Sequence, residues 1–334
     1  MITLALAGAA HIHTPGFVKT MKERPDVKVK LVWDHDAARA QKSADALGAK
    51  VVSDPQALWR DAAVQGVVVC AETQRHEELV LPAAAAGKHL FVEKPLGFAA
   101  ADAWRMCAAI EKAGVLFQTG YFRRGDPIHQ FLRAELAAGR LGRITRARHS
   151  NCHCGSLKGW FDTDWRWMAD PAIAGCGAFG DLGTHVLDIL LWLFGEVTTC
   201  TASIGVATER YGQCDEYGEG LLRFRNGVVA TVAAGWVDLI NPTGLLISGT
   251  EGHAVVVNNQ LFYHCPKVEG ADGKTPWAKL PPPLPHAFAL FLDAVGGQPG
   301  LPLVPVREAA YCGAVMTAMY DGAARHAWVA PAVA

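Results

Sequence analysis

The first residues that could do chemistry follow the apolar segment Ile2–Ala7. Positions 8–13 read Gly-Ala-Ala-His-Ile-His, where a dinucleotide-binding chain has Gly-x-Gly-x-x-Gly so that its backbone can approach a pyrophosphate. Only the first of those glycines is present. Thr14 as N-cap and Pro15 in the first turn predict a helix start at the required place. We expect a nucleotide pocket lined by Gly8, Ala10, His11, Ile12 and His13.

Asp34 ends the second apolar segment, 26 residues beyond Gly8. A carboxylate at about this spacing accepts hydrogen bonds from the adenosine ribose hydroxyls and repels a 2′-phosphate. No arginine follows it directly, Arg39 being the nearest, so the sequence predicts NAD in preference to NADP. A turn or capping role for Asp34 before Ala37 stays open.

His11 and His13 also have the spacing of a His-x-His metal pair. No acidic cluster stands near them in the sequence, and Cys152-His153-Cys154 lacks a second ligand pair at a matching spacing. We therefore expect no bound metal, and solvent-exposed loop histidines remain an alternative for His11 and His13. The nine cysteines are scattered and odd in number, which favours reduced thiols over a disulfide framework.

Asp181 and His185 are four residues apart at the start of the apolar segment Leu182–Phe194, which predicts a helix. This spacing puts both side chains on one helix face, as a shared substrate site requires. The other interpretation is that Asp181 caps the helix and His185 is a core histidine.

The elements that must position these residues alternate through the first 120 residues. Short β-rich runs and alanine-rich helical runs follow one another, which predicts a doubly wound parallel sheet with helices on both faces. The predicted segments are Ile2–Ala7, Phe17–Glu23, Lys28–Trp33, Ala37–Leu47, Gly66–Ala71, Glu77–Ala86, His89–Val92 and Leu116–Gly120.

From Ile144 onward, several strands follow one another around the single apolar helix, which predicts a mostly antiparallel sheet. Asn226-Gly227, between Leu221–Arg225 and Val228–Val232, predicts a hairpin with a type I′ turn. The Gly- and Pro-rich stretch 266–285 is expected to be a surface loop.

Two amphipathic helices, His286–Val295 and Val306–Arg325, are predicted to close the chain and to pack back toward the first domain. The fold class is therefore α/β. Residues 1–121 are predicted to form an N-terminal Rossmann domain. Residues 122–334 are predicted to form a C-terminal α+β domain on an open, mostly antiparallel sheet, which we expect to bind substrate and to mediate oligomerisation.

Composition limits the partners. A chain of 334 residues with 51% hydrophobic and 19% charged residues has material for two cores. A net charge of −1 gives no electrostatic reason to bind nucleic acid or an anionic membrane. The N-terminal segment lacks the basic start of a secretory signal, and the longest apolar run, Val186–Phe194, is short for a membrane span. We expect a cytoplasmic protein with a small-molecule partner.

Five further motifs occur in a fixed order along the chain. They are Ala85–Gly97 (AAGKHLFVEKPLG), Gln118–Arg124 (QTGYFRR), Leu141–Ile144, Trp165–Trp167 and Gly175–Asp188 (GCGAFGDLGTHVLD). Together they resemble the glucose-fructose oxidoreductase, inositol dehydrogenase and MocA family over essentially the whole chain. The sequence departs from that family at Ala10 and His13, which replace glycines of the nucleotide turn, and at Cys176.

The resemblance implies an NAD-dependent enzyme that interconverts a secondary alcohol and a ketone, or a hemiacetal and a lactone, on a sugar or cyclic polyol. It places Lys94 of Glu-Lys-Pro near the nicotinamide and substrate, and Asp181 and His185 opposite. His185 is expected to take the hydroxyl proton, Lys94 to stabilise the oxyanion or share the proton transfer, and Asp181 to orient the imidazole or bind a substrate hydroxyl. A redox-neutral enzyme that cleaves glycosides by transient oxidation, and a non-catalytic NAD sensor, remain alternatives.

The remaining expectations concern contacts and assembly. His76, Glu93 and Lys94 are expected beside the cofactor. The predicted substrate contacts are Tyr121, Arg124, Asn151, Trp165 and Arg166. The Lys94-Pro95 bond is predicted to be cis, and a homodimer or homotetramer is predicted because one face of the second sheet lacks a covering layer.

Overall fold

Alternating strands and helices build the N-terminal domain of the computed structural model, which describes residues 1–333. The strands are β1 (Ile2–Ala7), β2 (Val27–Trp33), β3 (Lys50–Val51), β4 (Gly66–Val69), β5 (His89–Val92) and β6 (Phe117–Thr119). The helices are α1 (Thr14–Glu23), α2 (Ala37–Leu47), α3 (Gln56–Arg60), α4 (His76–Ala85) and α5 (Ala100–Ala113).

All six strands are parallel, in the order β3-β2-β1-β4-β5-β6. β4 is buried along its whole length, as a strand covered by helices on both faces must be. The strand order reverses between β1 and β4, and ligands of such sheets bind in the crevice outside the carboxyl ends of the strands at this switch point. The predicted Rossmann architecture is confirmed.

The C-terminal domain is built on a larger sheet. Its strands are β7 (Ile144–Cys152), β8 (Val197–Gly205), β9 (Tyr217–Phe224), β10 (Val229–Gly235), β11 (Thr243–Gly249), β12 (His253–Val257), β13 (Gln260–His264) and β14 (Asp272–Pro276). Its helices are α6 (Pro127–Ala137), α7 (Pro171–Ala174), α8 (Ala178–Phe194), α9 (Ala287–Val295) and α10 (Val306–Arg325). The strand order is β14-β13-β12-β11-β7-β10-β9-β8, and every pair except the parallel β7–β10 is antiparallel.

Helix α8 covers one face of this sheet, and 14 of its 17 residues are buried. By length and composition alone the stretch Pro171–Phe194 could cross a membrane, contrary to the expectation from the sequence. Here it is the core helix of the domain, and most of its apolar window is buried.

Helix α9 packs against the sheet of the first domain. Phe288 and Phe291 of α9 share a hydrophobic core with Leu4 and Leu6 of β1 and with Phe91 of β5. The N-terminal core is thus completed by residues from the other end of the chain.

Three local predictions need correction. In the hairpin between β9 and β10, Gly227 N donates a hydrogen bond to Phe224 O at 3.0 Å. Only Gly227 in this loop has a positive φ. This is a type I turn followed by a left-handed glycine rather than a type I′ turn. The pair of positive φ values that a type I′ turn needs occurs at Asn258 and Asn259, between β12 and β13.

The other two corrections concern a predicted loop and the start of α1. The stretch 266–285 is not wholly loop, because β14 pairs within it. As an edge strand, β14 tolerates the Pro and Gly content that excludes a central strand. The N-cap of α1 is His13, without a capping side chain, and Thr14 is the first helical residue.

Candidate active site

Lys94, Asp181 and His185 meet where the two domains face each other. Lys94 follows β5, and the other two residues lie in the first half of α8. Lys94 Nζ donates to Asp181 Oδ1 at 2.8 Å, and Trp236 Nε1 donates to Asp181 Oδ2 at 3.2 Å. The Lys94-Pro95 bond is cis, as predicted.

The ion pair sets the charge of both partners. Burial raises the pKa of Asp181, but the Lys94 ammonium outweighs it and brings this pKa to about 2. Burial lowers the pKa of Lys94, but the carboxylates of Asp181 and Glu93 outweigh it and the pKa is raised. Lys94 is therefore an ammonium and Asp181 a carboxylate across the neutral pH range.

His185 is neutral. Burial, followed by the charges of Lys94 and Arg123, holds its pKa well below 6.5. Its Nδ1 is buried and has no hydrogen-bond partner within residues 1–333. The expectation that Asp181 orients this imidazole needs correction, because both carboxylate oxygens of Asp181 are used by Lys94 and Trp236.

Arg123 was not predicted and is the notable addition to the site. Its Nη2 donates to Asn151 Oδ1 at 2.7 Å, and its Nε is buried without a partner among the described residues. Burial lowers the pKa of this guanidinium. A carboxylate or hydroxyl of a ligand would supply the acceptors that it lacks.

The nucleotide turn has the close approach that the sequence predicts. Gly8 has a φ of +77°, and a Cβ there would lie 2.5 Å from Ala71. Beside the turn, a cavity of about 590 Å³ lies between α1 and α2, and its lining includes Ala10, Thr14 and Arg39. A helix N-terminus and a cavity of this size suit the adenosine diphosphate part of NAD.

Asp34 is engaged more fully than the sequence suggests. It accepts from Ala9 N at 2.7 Å and from Asp36 N at 2.8 Å. Both of its oxygens also accept from Arg39, from Nε at 2.7 Å and from Nη2 at 2.7 Å. The carboxylate therefore holds the nucleotide turn and Arg39 in place at the adenosine end of the crevice.

Glu93 and His76 lie beneath the turn. Glu93 is fully buried, and its Oε1 pairs with His13 Nδ1 at 3.0 Å. The ring nitrogens of His76 face Leu96 O at 3.1 Å and Ala71 O at 3.3 Å. His76 thus supports the backbone around the site, and its side chain is not available to the cofactor that it was predicted to contact.

Two predicted substrate residues lie at the site but have their polar groups occupied. The hydroxyl of Tyr121 bonds Thr184 Oγ1 at 2.8 Å, and the ring centroid is 6.3 Å from that of His185. Asn151 accepts from Arg123 and donates to Leu182 O at 3.2 Å. Both residues therefore hold neighbouring groups of the site in place through these hydrogen bonds.

The other three predicted substrate residues need correction. Arg124 pairs with Asp188 and Glu308 and lines a separate cavity of about 570 Å³. Arg166 stacks over the ring of Tyr211, with its Cζ 4.7 Å from the centroid. Trp165 lines the adenosine-side cavity, so it contacts cofactor space rather than substrate space.

A residue far along the chain fixes the start of α8. Asp215 Oδ1 accepts from Phe179 N at 2.8 Å, and Oδ2 accepts from Gly177 N at 3.0 Å and from the hydroxyl of Tyr320 at 3.0 Å. The carboxylate satisfies two of the free donors at the helix N-terminus. Asp215 therefore positions the turn that carries Asp181.

A Rossmann domain with an ammonium, a carboxylate and a neutral imidazole at its crevice defines a nicotinamide-dependent oxidoreductase architecture. Family models agree. Residues 2–121 match the oxidoreductase family with an NAD-binding Rossmann fold, and residues 129–255 match the GFO/IDH/MocA C-terminal domain. The chain belongs to the GFO/IDH/MocA oxidoreductase family.

Curated relatives include an inositol 2-dehydrogenase of Saccharopolyspora erythraea, 33% identical over 205 residues. This alignment covers 60% of this chain and 55% of that protein. A 1,5-anhydro-D-fructose reductase of Ensifer adhaerens is 30% identical over 212 residues, which cover 62% of this chain and 61% of that protein. The chain thus matches little more than half the length of these relatives.

Solved structures share the fold over the full length. A levoglucosan dehydrogenase in complex with NADH and levoglucosan has a TM-score of 0.81 at 21% identity, covering 99% of this chain and 100% of that one. GenD2 from gentamicin A biosynthesis, in complex with NAD, has a TM-score of 0.79 at 22% identity, covering 99% of this chain and 97% of that one.

Proposed function

We propose that the protein is an NAD-dependent dehydrogenase or reductase that interconverts a hydroxyl-bearing carbon and a carbonyl on a sugar or cyclic polyol. The observation that carries the proposal is the buried Lys94–Asp181 pair beside the neutral His185, at the carboxyl ends of the parallel strands. The named functions of the inositol and anhydrofructose relatives support the same substrate class.

The two candidate proton-transfer groups have different roles in this proposal. Nicotinamide, when bound, supplies the hydride chemistry. His185 is neutral and accepts the hydroxyl proton. Lys94 is already protonated, so it donates a hydrogen bond to the oxygen that becomes negative as the proton leaves. Asp181 keeps Lys94 charged and in place.

The substrate is to be found by measuring NADH formation on a panel of sugars, inositols and glycosides. On any active substrate, we expect Lys94→Ala and His185→Ala each to lower kcat about a hundredfold to ten-thousandfold, with NAD binding largely retained. His253→Asn, an exposed histidine on β12, is the control and should leave kcat unchanged.

Near-wild-type turnover in either active-site variant would overturn the proposed roles. Product release from a glycoside without net NADH would instead indicate the redox-neutral alternative. NAD binding without turnover on any polyol would indicate a sensor. The predicted cytoplasmic location and homo-oligomeric state stay predictions.

A further inference from the structure

Two histidines of the nucleotide turn and a glutamate from the other side of the sheet switch point converge on one point. His13 Nδ1 lies 3.0 Å from Glu93 Oε1, and His11 Nδ1 lies 3.8 Å from the same oxygen. One possible ligand atom from each of the three residues lies within 4.8 Å of the others. The expectation of no metal rested on the absence of an acidic cluster near the two histidines in the sequence, and the fold brings Glu93 to them from 80 positions away.

These separations are close to those of a metal's ligands. Zinc binds histidine nitrogen and carboxylate oxygen at about 2.0–2.2 Å with tetrahedral geometry, which places two ligand atoms roughly 3.4 Å apart. The observed 3.0 and 3.8 Å lie on either side of that value. His11 Nδ1 accepts from His13 N at 3.2 Å, and a metal bound at this nitrogen would replace that hydrogen bond.

The protonation states also suit a metal. Burial lowers the pKa of His11 to about 3, so its ring is neutral with a lone pair. Burial raises the pKa of Glu93, but the hydrogen bond with His13 and the charge of the nearby Lys94 act against it, and the pKa lies well below 4.5. A neutral imidazole and an ionised carboxylate are the forms that bind metals.

The charge balance of the site leaves room for a cation. Glu93 is fully buried, and a buried carboxylate is costly without a positive partner. The Lys94 ammonium lies against Asp181 at 2.8 Å, and it is the backbone N–H of Lys94 that donates to Glu93 Oε2. Within residues 1–333, no lysine or arginine side chain therefore forms an ion pair with Glu93.

We propose that His11, His13 and Glu93 bind one divalent cation, Zn²⁺ being the best match to two imidazoles and one carboxylate. Such a ligand set leaves a fourth position open, as in catalytic zinc sites. The open side is that of His13, whose side chain is 40% exposed while those of His11 and Glu93 are buried. A ligand oxygen in the crevice can complete the coordination there.

The role of the cation rests on the proposed function, but its binding does not. In a dehydrogenase the cation would polarise the substrate oxygen and share the stabilisation that Lys94 provides. The binding site itself is a property of three side chains. It also gives the replacement of the family's glycine by His13 a chemical purpose.

The test is a calorimetric titration of the full-length, chelator-treated protein with Zn²⁺, with and without NAD, together with metal analysis of the protein as purified. We expect about one equivalent bound by the wild type. His13→Gly, which restores the family's glycine, and Glu93→Gln should each weaken binding by about a hundredfold or more. Thermal unfolding and NAD binding of His13→Gly check that the turn is intact.

His35→Ala is the matched control, because His35 Nε2 pairs with Glu72 Oε1 at 2.8 Å without a second histidine at the position of His11. It should bind Zn²⁺ as the wild type does. Equal Zn²⁺ affinity in the wild type and His13→Gly, or an equal loss in His35→Ala, would overturn the site. Zn²⁺ binding without polyol turnover would contradict only the proposed function. Polyol turnover without Zn²⁺ binding would contradict only the metal site.

Discussion

The charge on Lys94 determines what His185 can do. Two groups that both transfer protons would compete, but here one is held as an ammonium by Asp181 and the other is held neutral by burial and nearby cations. When the surroundings move the pKa values of two titratable groups apart in this way, one group can act as the acid and the other as the base. Burial, followed by the charges of Lys94 and Arg123, thus keeps His185 in the neutral form that the proposed base requires.

The acid limb of the pH–rate profile follows from these surroundings. The charged and titratable groups around His185 are Lys94, Arg123, Asp181 and His13, and burial with the cations prevails, so its pKa lies well below 6.5. A base must be unprotonated, and activity is therefore lost only as the pH falls through that low pKa. We expect kcat to stay flat through pH 6.5 and to fall only at a pH well below that value.

Arg123→Gln removes one of those cations, so the acid limb of kcat should move to higher pH. Arg133→Gln makes the same charge change at an exposed arginine stacked on Trp192 and should leave the limb in place. A limb that stays fixed in Arg123→Gln, or moves equally in both variants, contradicts the assignment of His185 as the base.

Cofactor choice depends on Asp34, although its oxygens are already bonded. In Asp34→Ser the Arg39 guanidinium loses one of its two carboxylate partners, and the freed donors become available to a 2′-phosphate. We expect the ratio of kcat/KM for NADP to that for NAD to rise by about tenfold or more, equivalent to roughly 1.4 kcal/mol. Glu72→Gln, which removes the other carboxylate on Arg39, should change the ratio much less. An unchanged ratio in Asp34→Ser, or a wild type that prefers NADP, would contradict this role.

At the scale of elements, the helix α8 that carries Asp181 and His185 is fixed at its N-terminus by Asp215, which the sequence does not place near it. We expect Asp215→Ala to lower the free energy of unfolding by about 1–3 kcal/mol, because two helix donors and a tyrosine hydroxyl lose their acceptor. Asp215→Asn keeps one acceptor oxygen and should cost less. Urea denaturation measures both, and equal stability of Asp215→Ala and the wild type would refute the capping role.

The elements themselves could largely be predicted because hydrophobic periodicity is local. α2, β5 and α10 begin and end where the sequence predicts. The short β3 and α3 were not predicted, since brief segments give a weak periodic signal, and the longer α5 was not predicted either.

The site was harder to predict from the sequence, because its contacts join positions that are far apart along the chain. Glu93 reaches His13 across 80 residues, which no local pattern records. The choice between Arg123 and Arg124 depends on a single 3-10 turn, Phe122–Gly125, that sends adjacent side chains in different directions. Resemblance identified the motif, but only the fold could show which arginine faces the site.

For the whole molecule, the open face of the larger sheet is the main surface without a covering layer. Leu246, Val255 and Phe262 are partly exposed and lie side by side in register across β11, β12 and β13. An apolar row on the uncovered face of a sheet favours burial against another copy of the chain.

We expect light scattering at micromolar concentration to give the mass of a dimer or tetramer. Val255→Glu should shift the mass toward that of the monomer, because it would bury a charge in the contact. Lys112→Glu, on the exposed surface of α5, should not. A monomeric wild type would contradict the prediction of assembly through this face.

The return of α9 to the N-terminal core has a consequence for how the protein is made. As the chain leaves the ribosome, the six parallel strands are complete long before Phe288 and Phe291 are synthesised. Domains commonly fold as units during synthesis, N-terminal first. Here the apolar surface around Phe91 in the N-terminal domain stays uncovered until almost nine-tenths of the chain has been synthesised. Nascent chains that end before α9 are therefore the forms of this protein with most need of a chaperone.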